Sequence, residues 1–171
     1  ANPMFIVLLA PVFAMMWPWL DKMNMNPSIP RKFAIALIGM AAGFALLVFA
    51  LKNFLGPDDR IGWYWLAGLY LIHTMAELCL SPIGLSMVTK LAAPKNVGLS
   101  MGGWFLATAV ANYLAGRISA IASGGGGHGE AASSLAQYSQ TFTMLIWAGL
   151  IVGGIYFLFA PLINKLMHGV K

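Results

Sequence analysis

Charge is what this sequence has least of. Ten Lys/Arg and five Asp/Glu among 171 residues make it 9% charged, against about a quarter in a soluble domain. With 60% hydrophobic residues, the chain has no polar coat to wrap around its apolar surface in water. A bilayer makes such a coat unnecessary, so a soluble domain is excluded. The one cysteine, Cys79, excludes an internal disulfide and reads as a small packed residue. No HExxH occurs, and the three histidines and Cys79 lack zinc spacing. The net charge of +5 reads as loop charge facing the cytoplasm or anionic lipid, with no nucleic-acid partner implied. The chain opens Ala1-Asn2-Pro3-Met4-Phe5, without initiator methionine or basic n-region. That is no signal peptide, and the expectation is a piece of a longer protein.

What is there is a series of apolar runs. Five are expected to be membrane helices, at about 1–20, 33–51, 61–88, 97–122 and 141–163, each near the roughly 20 residues that span hydrocarbon. Backbone groups in lipid must bond internally, and the alternation of a β-barrel is absent, so the fold class is all-α and polytopic. One set of ends carries Lys22, Arg31, Lys32, Lys90, Lys95, Lys165 and Lys171; the other carries Lys52, Arg60 and Arg117. Seven against three puts the first set, and the C-terminus, in the cytoplasm. Residues 123–140, with the run Gly124–Gly127, are expected to form a flexible extracytoplasmic loop. Pro3, Pro11, Pro18 and Pro82 are expected to bend their helices. Gly39/Gly43, Gly98/Gly102 and Gly149/Gly153 have the spacing of close helix packing.

One acid stands in the wrong solvent. Glu77 lies near the middle of the run 61–88, where a carboxylate costs roughly 3 kcal/mol on insertion scales. Such a group is kept for a partner charge, a cavity or a substrate. On a helix it shares a face with His73, Thr74, Ser81 and Gly84. The basic residues fall at span ends, so a cationic ligand or a missing part of the protein is the expected partner. Without a cation nearby, Glu77 is also the candidate proton carrier. His73 reads as a hydrogen-bonded helix histidine before it reads as a relay. Trp104, preceded by Gly102 and Gly103, offers a broad apolar face that a ligand or helix could approach. Trp17, Trp19, Trp63 and Trp65 read as interfacial belt residues.

The segment AELCLSPIGLSMVTKLAAPKNVGLSMGGWFLATAVANYLAG resembles the signature region of the proton-dependent oligopeptide transporter family of the major facilitator superfamily. The opening NPMFIVLLAPVFAMMW resembles that family's Asn-Pro-containing eighth helix. The resemblance implies two six-helix bundles around a central cavity, with this chain as helices eight to twelve of the C-terminal bundle. It implies an inner-membrane symporter of di- and tripeptides driven by protons, with no other cofactor and no enzymatic step. By resemblance, Glu77 receives the peptide's amino group, Ser81 shares its helix face, Trp104 lines the peptide site and Asn2 contacts the peptide backbone. The family's first-helix motif and fourth-helix lysine are not in this sequence, so the N-terminal bundle is an implied partner. The residues alone leave open another solute, or a non-transporting subunit that uses Glu77 for helix pairing.

Overall fold

The computed structural model describes residues 2–56, 60–122 and 131–167, apart from the side chains at 81–82, 121–122 and 131–134. Its elements are α1 (Asn2–Lys22), α2 (Ile29–Asn53), α3 (Trp63–Leu91), a 3-10 turn (Pro94–Asn96), α4 (Val97–Ala122) and α5 (Ala131–Leu166). Pro11 and Pro18 are accommodated inside α1, and Pro161 inside α5. Each removes one backbone donor from a helix that otherwise continues. Helix α3 likewise runs through position 82.

The turn between α1 and α2 is built by a left-handed residue. Asn24 has φ 55°, a conformation asparagine tolerates better than most residues. The Met25 amide then donates to the Leu20 carbonyl and the Asn24 amide to the Asp21 carbonyl, each at 3.0 Å. That pair of bonds is a Schellman close, which satisfies carbonyls the helix end leaves free. Ser28 and Pro30 start α2, proline costing nothing where no intrahelical donor is required.

Two spans differ from expectation. Helix α2 begins at Ile29, so Arg31 and Lys32 are helical, not loop residues. Helix α5 begins at Ala131, ten residues before 141, which corrects the expectation of an irregular segment through 140. Residues 131–140 contain no glycine or proline. At the end of that stretch the hydroxyls of Thr141 and Thr143 donate to the carbonyls of Gln137 and Ser139 at 2.9 and 2.7 Å. Loss of apolarity marks the edge of hydrocarbon; it does not stop a helix. Residues 123–130, with the glycine run, lie outside the described residues. Among the described residues, four helices are long and apolar enough to cross a membrane: α1, α2, α3 and α5. Helix α4 has the length, but its glycines, Ser100, Asn112 and Arg117 lower its apolarity.

Helix α2 is the hub. It packs chiefly on α5 and α3, and α1 leans on α3. Small side chains let α2 approach both neighbours: Ala34, Ala41 and Ala50 are at most 1% exposed. A Cβ on Gly43 would overlap the His73 ring of α3, and one on Gly149 of α5 would come within 3.0 Å of the Ala41 Cβ. The spacings at Gly39/Gly43 and Gly149/Gly153 are therefore packing devices. At Gly98 and Gly102 an added Cβ would meet nothing. Helix α4 touches α3 and α5 only lightly, leaving Leu99, Phe105, Leu106 and Tyr113 each at least 60% exposed. One cleft brings together Asp21, Arg31, Lys32 and Asn164. The α1–α2 turn and the end of α5 thus share one end of the bundle, the end that collects most of the lysines and arginines.

The glycine contacts generate a test. Gly43→Ala drives a methyl into the His73 ring and is expected to destabilise by about 1–3 kcal/mol, as overpacking does. Gly154→Ala, where a Cβ meets nothing, is expected to be neutral or to gain up to about 1 kcal/mol of helix propensity. Thermal unfolding in detergent checks both, and equal melting of the two variants would contradict the packing argument.

Candidate functional site

The first turn of α1 and the middle of α3 meet at a polar contact. The Asn2 amide nitrogen donates to a Glu77 carboxylate oxygen at 3.3 Å, across 75 residues of sequence. Thr74, three residues before Glu77 and therefore on the same α3 face, is fully buried, at 0% exposure. Its hydroxyl lies 2.5 Å from the Asn2 amide oxygen and 2.7 Å from the Tyr70 carbonyl oxygen. That hydroxyl has one proton and two acceptors within reach. Glu77 itself is exposed along an open cleft of about 380 Å³, lined by Asn2, Tyr70, His73, Ala76, Leu80 and, from α2, Ala36, Leu37 and Met40. The partner that the fold gives this carboxylate is an amide, and the cleft side of the group is open.

His73 lines the same cleft but is already committed. Its Nε2 is 3.1 Å from the Met40 carbonyl of α2. A carbonyl only accepts, so Nε2 carries the proton in this bond. The ring also lies edge-on to Phe44, with centroids 4.8 Å apart, in the space that Gly43 leaves. His73 is a strut between α2 and α3.

The four residues singled out as substrate contacts are not all gathered. Asn2 and Glu77 are together. Trp104 lies farther along α3, packed over Gly84, where an added Cβ would come within 2.6 Å of the ring. Gly84 is two turns from Glu77, about 10 Å along the axis, and Trp104 does not line the Glu77 cleft. The Ser81 side chain lies outside the described residues.

Two residues of consequence escaped sequence reasoning. Thr74 was visible as a neighbour on the face of Glu77, but nothing in a one-dimensional pattern announces a contact 72 residues away. Lys32 was counted as a loop charge. It is only 6% exposed, and its ammonium stands 4.1 Å from the centroid of the Trp17 ring. Trp17 is therefore a partner of a buried cation as well as an apolar residue near a helix end. A signal was present: lysine and tryptophan flank the short turn between α1 and α2.

Residues 1–135 match the family description PTR2: POT family. The chain belongs to the POT family. This family of transporters lies within the major facilitator superfamily, and the helical, strand-free architecture of the described residues agrees with it. The peptide transporter YePEPT of Yersinia enterocolitica subsp. palearctica is 37% identical over 171 residues, covering 99% of this chain and 32% of the relative. The dipeptide and tripeptide permease A of Edwardsiella piscicida is 31% identical over 169 residues, covering 98% of this chain and 34% of the permease. A crystal structure of a mutant POT peptide transporter in complex with alafosfalin superposes with TM-score 0.80 at 34% identity, over 98% of this chain and 32% of that one. The chain thus spans about a third of the length of the curated relatives it matches.

The Lys32 contact can be tested by stability. Trp17→Leu keeps apolar bulk but removes the ring face beneath a largely desolvated ammonium, a contact worth about 1–2 kcal/mol. Trp17→Phe is expected to retain most of it. Denaturation of both variants would separate ring electrostatics from packing; identical losses would assign the contact to packing alone.

Proposed function

We propose that this chain supplies the C-terminal part of the substrate site of a proton-coupled di- and tripeptide symporter working by alternating access. The observation that carries the reading is the meeting of Asn2 and Glu77 at an open cleft, in a chain of the POT family. An anion in a low-dielectric cavity suits a peptide ammonium, whose attraction is weakened least where water is sparse. An amide both donates and accepts, so Asn2 can hold peptide backbone whatever the side chains. Recognition of backbone and terminus tolerates many short peptides. The relatives named as peptide transporters support that substrate class.

Trp104 and Ser81 take secondary roles in this reading. Trp104 lines the route along α3, and Ser81 contributes to the face that Glu77 occupies. The exposed apolar side of α4 is the surface for the N-terminal bundle and lipid. The Lys/Arg-rich end faces the cytoplasm of a cell inner membrane. Substrate enters at the bilayer midplane between bundles, and rocking of the bundles exposes it to each side in turn. Protonation of Glu77 removes the charge that holds the ligand's amino group and so favours release.

One observation favours a second reading. The Asn2–Glu77 bond ties α1 to α3, as a purely structural helix pair would. Dialanine uptake by the full-length transporter in proteoliposomes, under an imposed inward proton gradient, separates the two. The expected outcome for Glu77→Gln is a loss of about tenfold or more in uptake, matching one lost charged hydrogen bond, with unchanged melting. A large fall in melting temperature with assembly lost would support helix pairing. Absence of dialanine uptake by correctly inserted wild type would overturn the peptide assignment.

A further inference from the structure

A second cleft, of about 260 Å³, lies where the turn between α1 and α2 meets the end of α5. Asp21, Asn26, Ser28, Arg31, Lys32 and Asn164 line it. Lys32 is only 6% exposed, yet among the described residues its ammonium has no hydrogen-bond acceptor and no carboxylate within ion-pair distance. Its contact is the Trp17 ring, 4.1 Å from the nitrogen. A ring face attracts the charge but leaves three N–H donors without an oxygen. Asp21, the carboxylate of the cleft, accepts instead from the Asn26 amide nitrogen at 3.3 Å. The Asn26 amide oxygen is buried with no partner.

The start of α2 adds further donors. Ser28 makes no side-chain cap bond, Pro30 has no N–H, and the Lys32 amide is spent on the Ser28 carbonyl. The amides left free in this first turn are those of Ile29 and Arg31, at the end of the helix that favours an anion. Arg31 brings a guanidinium fork that suits two oxygens of one phosphate. Arg31 and Lys32 against Asp21 leave one positive charge unanswered. A phosphodiester, with one negative charge and two free oxygens, matches both the charge and the donors.

The surroundings identify the source of that phosphate. Ile29 also lines an apolar groove of about 110 Å³, formed with Phe33 of α2, Met87 of α3, and Ile163 and Met167 of α5. Adjacent residues of α5, Asn164 and Ile163, thus serve the polar cleft and the apolar groove. Helices α1 and α2 end and begin here as segments long and apolar enough to cross a membrane, which places the cleft at headgroup depth. We propose that the cleft binds the headgroup phosphate of an anionic phospholipid. Arg31, Lys32 and the first-turn amides of α2 are its donors, and the neighbouring groove takes the start of an acyl chain. The bound lipid bridges the α1–α2 turn and α5. This site is separate from the Glu77 cleft and does not depend on the transport reading.

Lipid titration of the purified, delipidated full-length transporter in detergent tests the assignment, with melting temperature as the readout. Dioctanoyl phosphatidylglycerol is expected to raise the melting temperature of the wild type by several degrees. Dioctanoyl phosphatidylcholine, whose choline cancels the charge, and inorganic phosphate, which has no chain, are expected to do far less. Arg31→Gln is expected to weaken phosphatidylglycerol binding about tenfold, as loss of one charged hydrogen bond does. Lys32→Met, which keeps the reach without the charge, is expected to lose at least as much. Lys22→Gln removes a basic residue that lies outside the cleft and is expected to leave the titration midpoint in place. If Lys32→Met does not fold, Arg31→Gln carries the test, since that side chain is exposed. Equal stabilisation by phosphatidylcholine, or an equal loss in Lys22→Gln, overturns the site. Equal stabilisation by inorganic phosphate overturns the lipid as its occupant.

Discussion

The constraint on which the site depends is that a carboxylate in the middle of a membrane helix must be answered. Glu77 is answered from another helix by a neutral amide, at 3.3 Å. An amide satisfies part of the group, and the cleft side of the carboxyl stays open. A lysine in the same place would instead form an ion pair with the carboxylate, at the desolvation cost of a second charge. Asparagine holds the carboxyl from one side and leaves its other side to the cleft. It also requires α1 and α3 to hold a fixed register, which is where packing enters.

That register is held by α2, although α2 contributes no polar group to the contact. Its alanines and glycines permit close approach to α3 and α5, and His73 spans the gap to Met40. Without a hydrophobic drive between helices in lipid, fit and hydrogen bonds decide association. Helix α1 is then positioned through Phe13, Ala36, Leu78 and Cys79, which pack as one cluster. The buried Lys32 over Trp17 anchors the other end of α1. Helix α4 takes part in little of this, and its Leu99, Phe105 and Leu106 stay exposed, covered by none of the described elements.

What could be read from residues alone follows the size of the physical penalty. Glu77 was legible because a charge in hydrocarbon is costly anywhere it appears. The helices were legible because apolar length is additive along the chain, and their true ends were less so. Helix α5 runs ten residues further toward its N-terminus than apolarity suggests, since water tolerates a helix that lipid would demand. Asn2 entered by resemblance, and the fold supplies the geometry that makes it relevant. Thr74 was not legible as a partner. A threonine in a helix ordinarily bonds the carbonyl four residues back, and Thr74 does so with Tyr70; its second acceptor exists only once α1 is in place.

Thr74 also explains why the site has polar groups in such small number. Each added donor or acceptor in a low-dielectric interior must be satisfied in every state the site adopts. Asparagine and threonine can both reverse roles, one by rotating an amide and the other by turning a hydroxyl. A site built from so few groups is served by partners of that kind, because a fixed donor answers only one arrangement of its neighbours. Here three side chains and one backbone carbonyl, those of Asn2, Thr74 and Glu77 with the carbonyl of Tyr70, form one connected set. The single Thr74 proton joins them with two acceptors in reach, the Asn2 amide oxygen and the Tyr70 carbonyl.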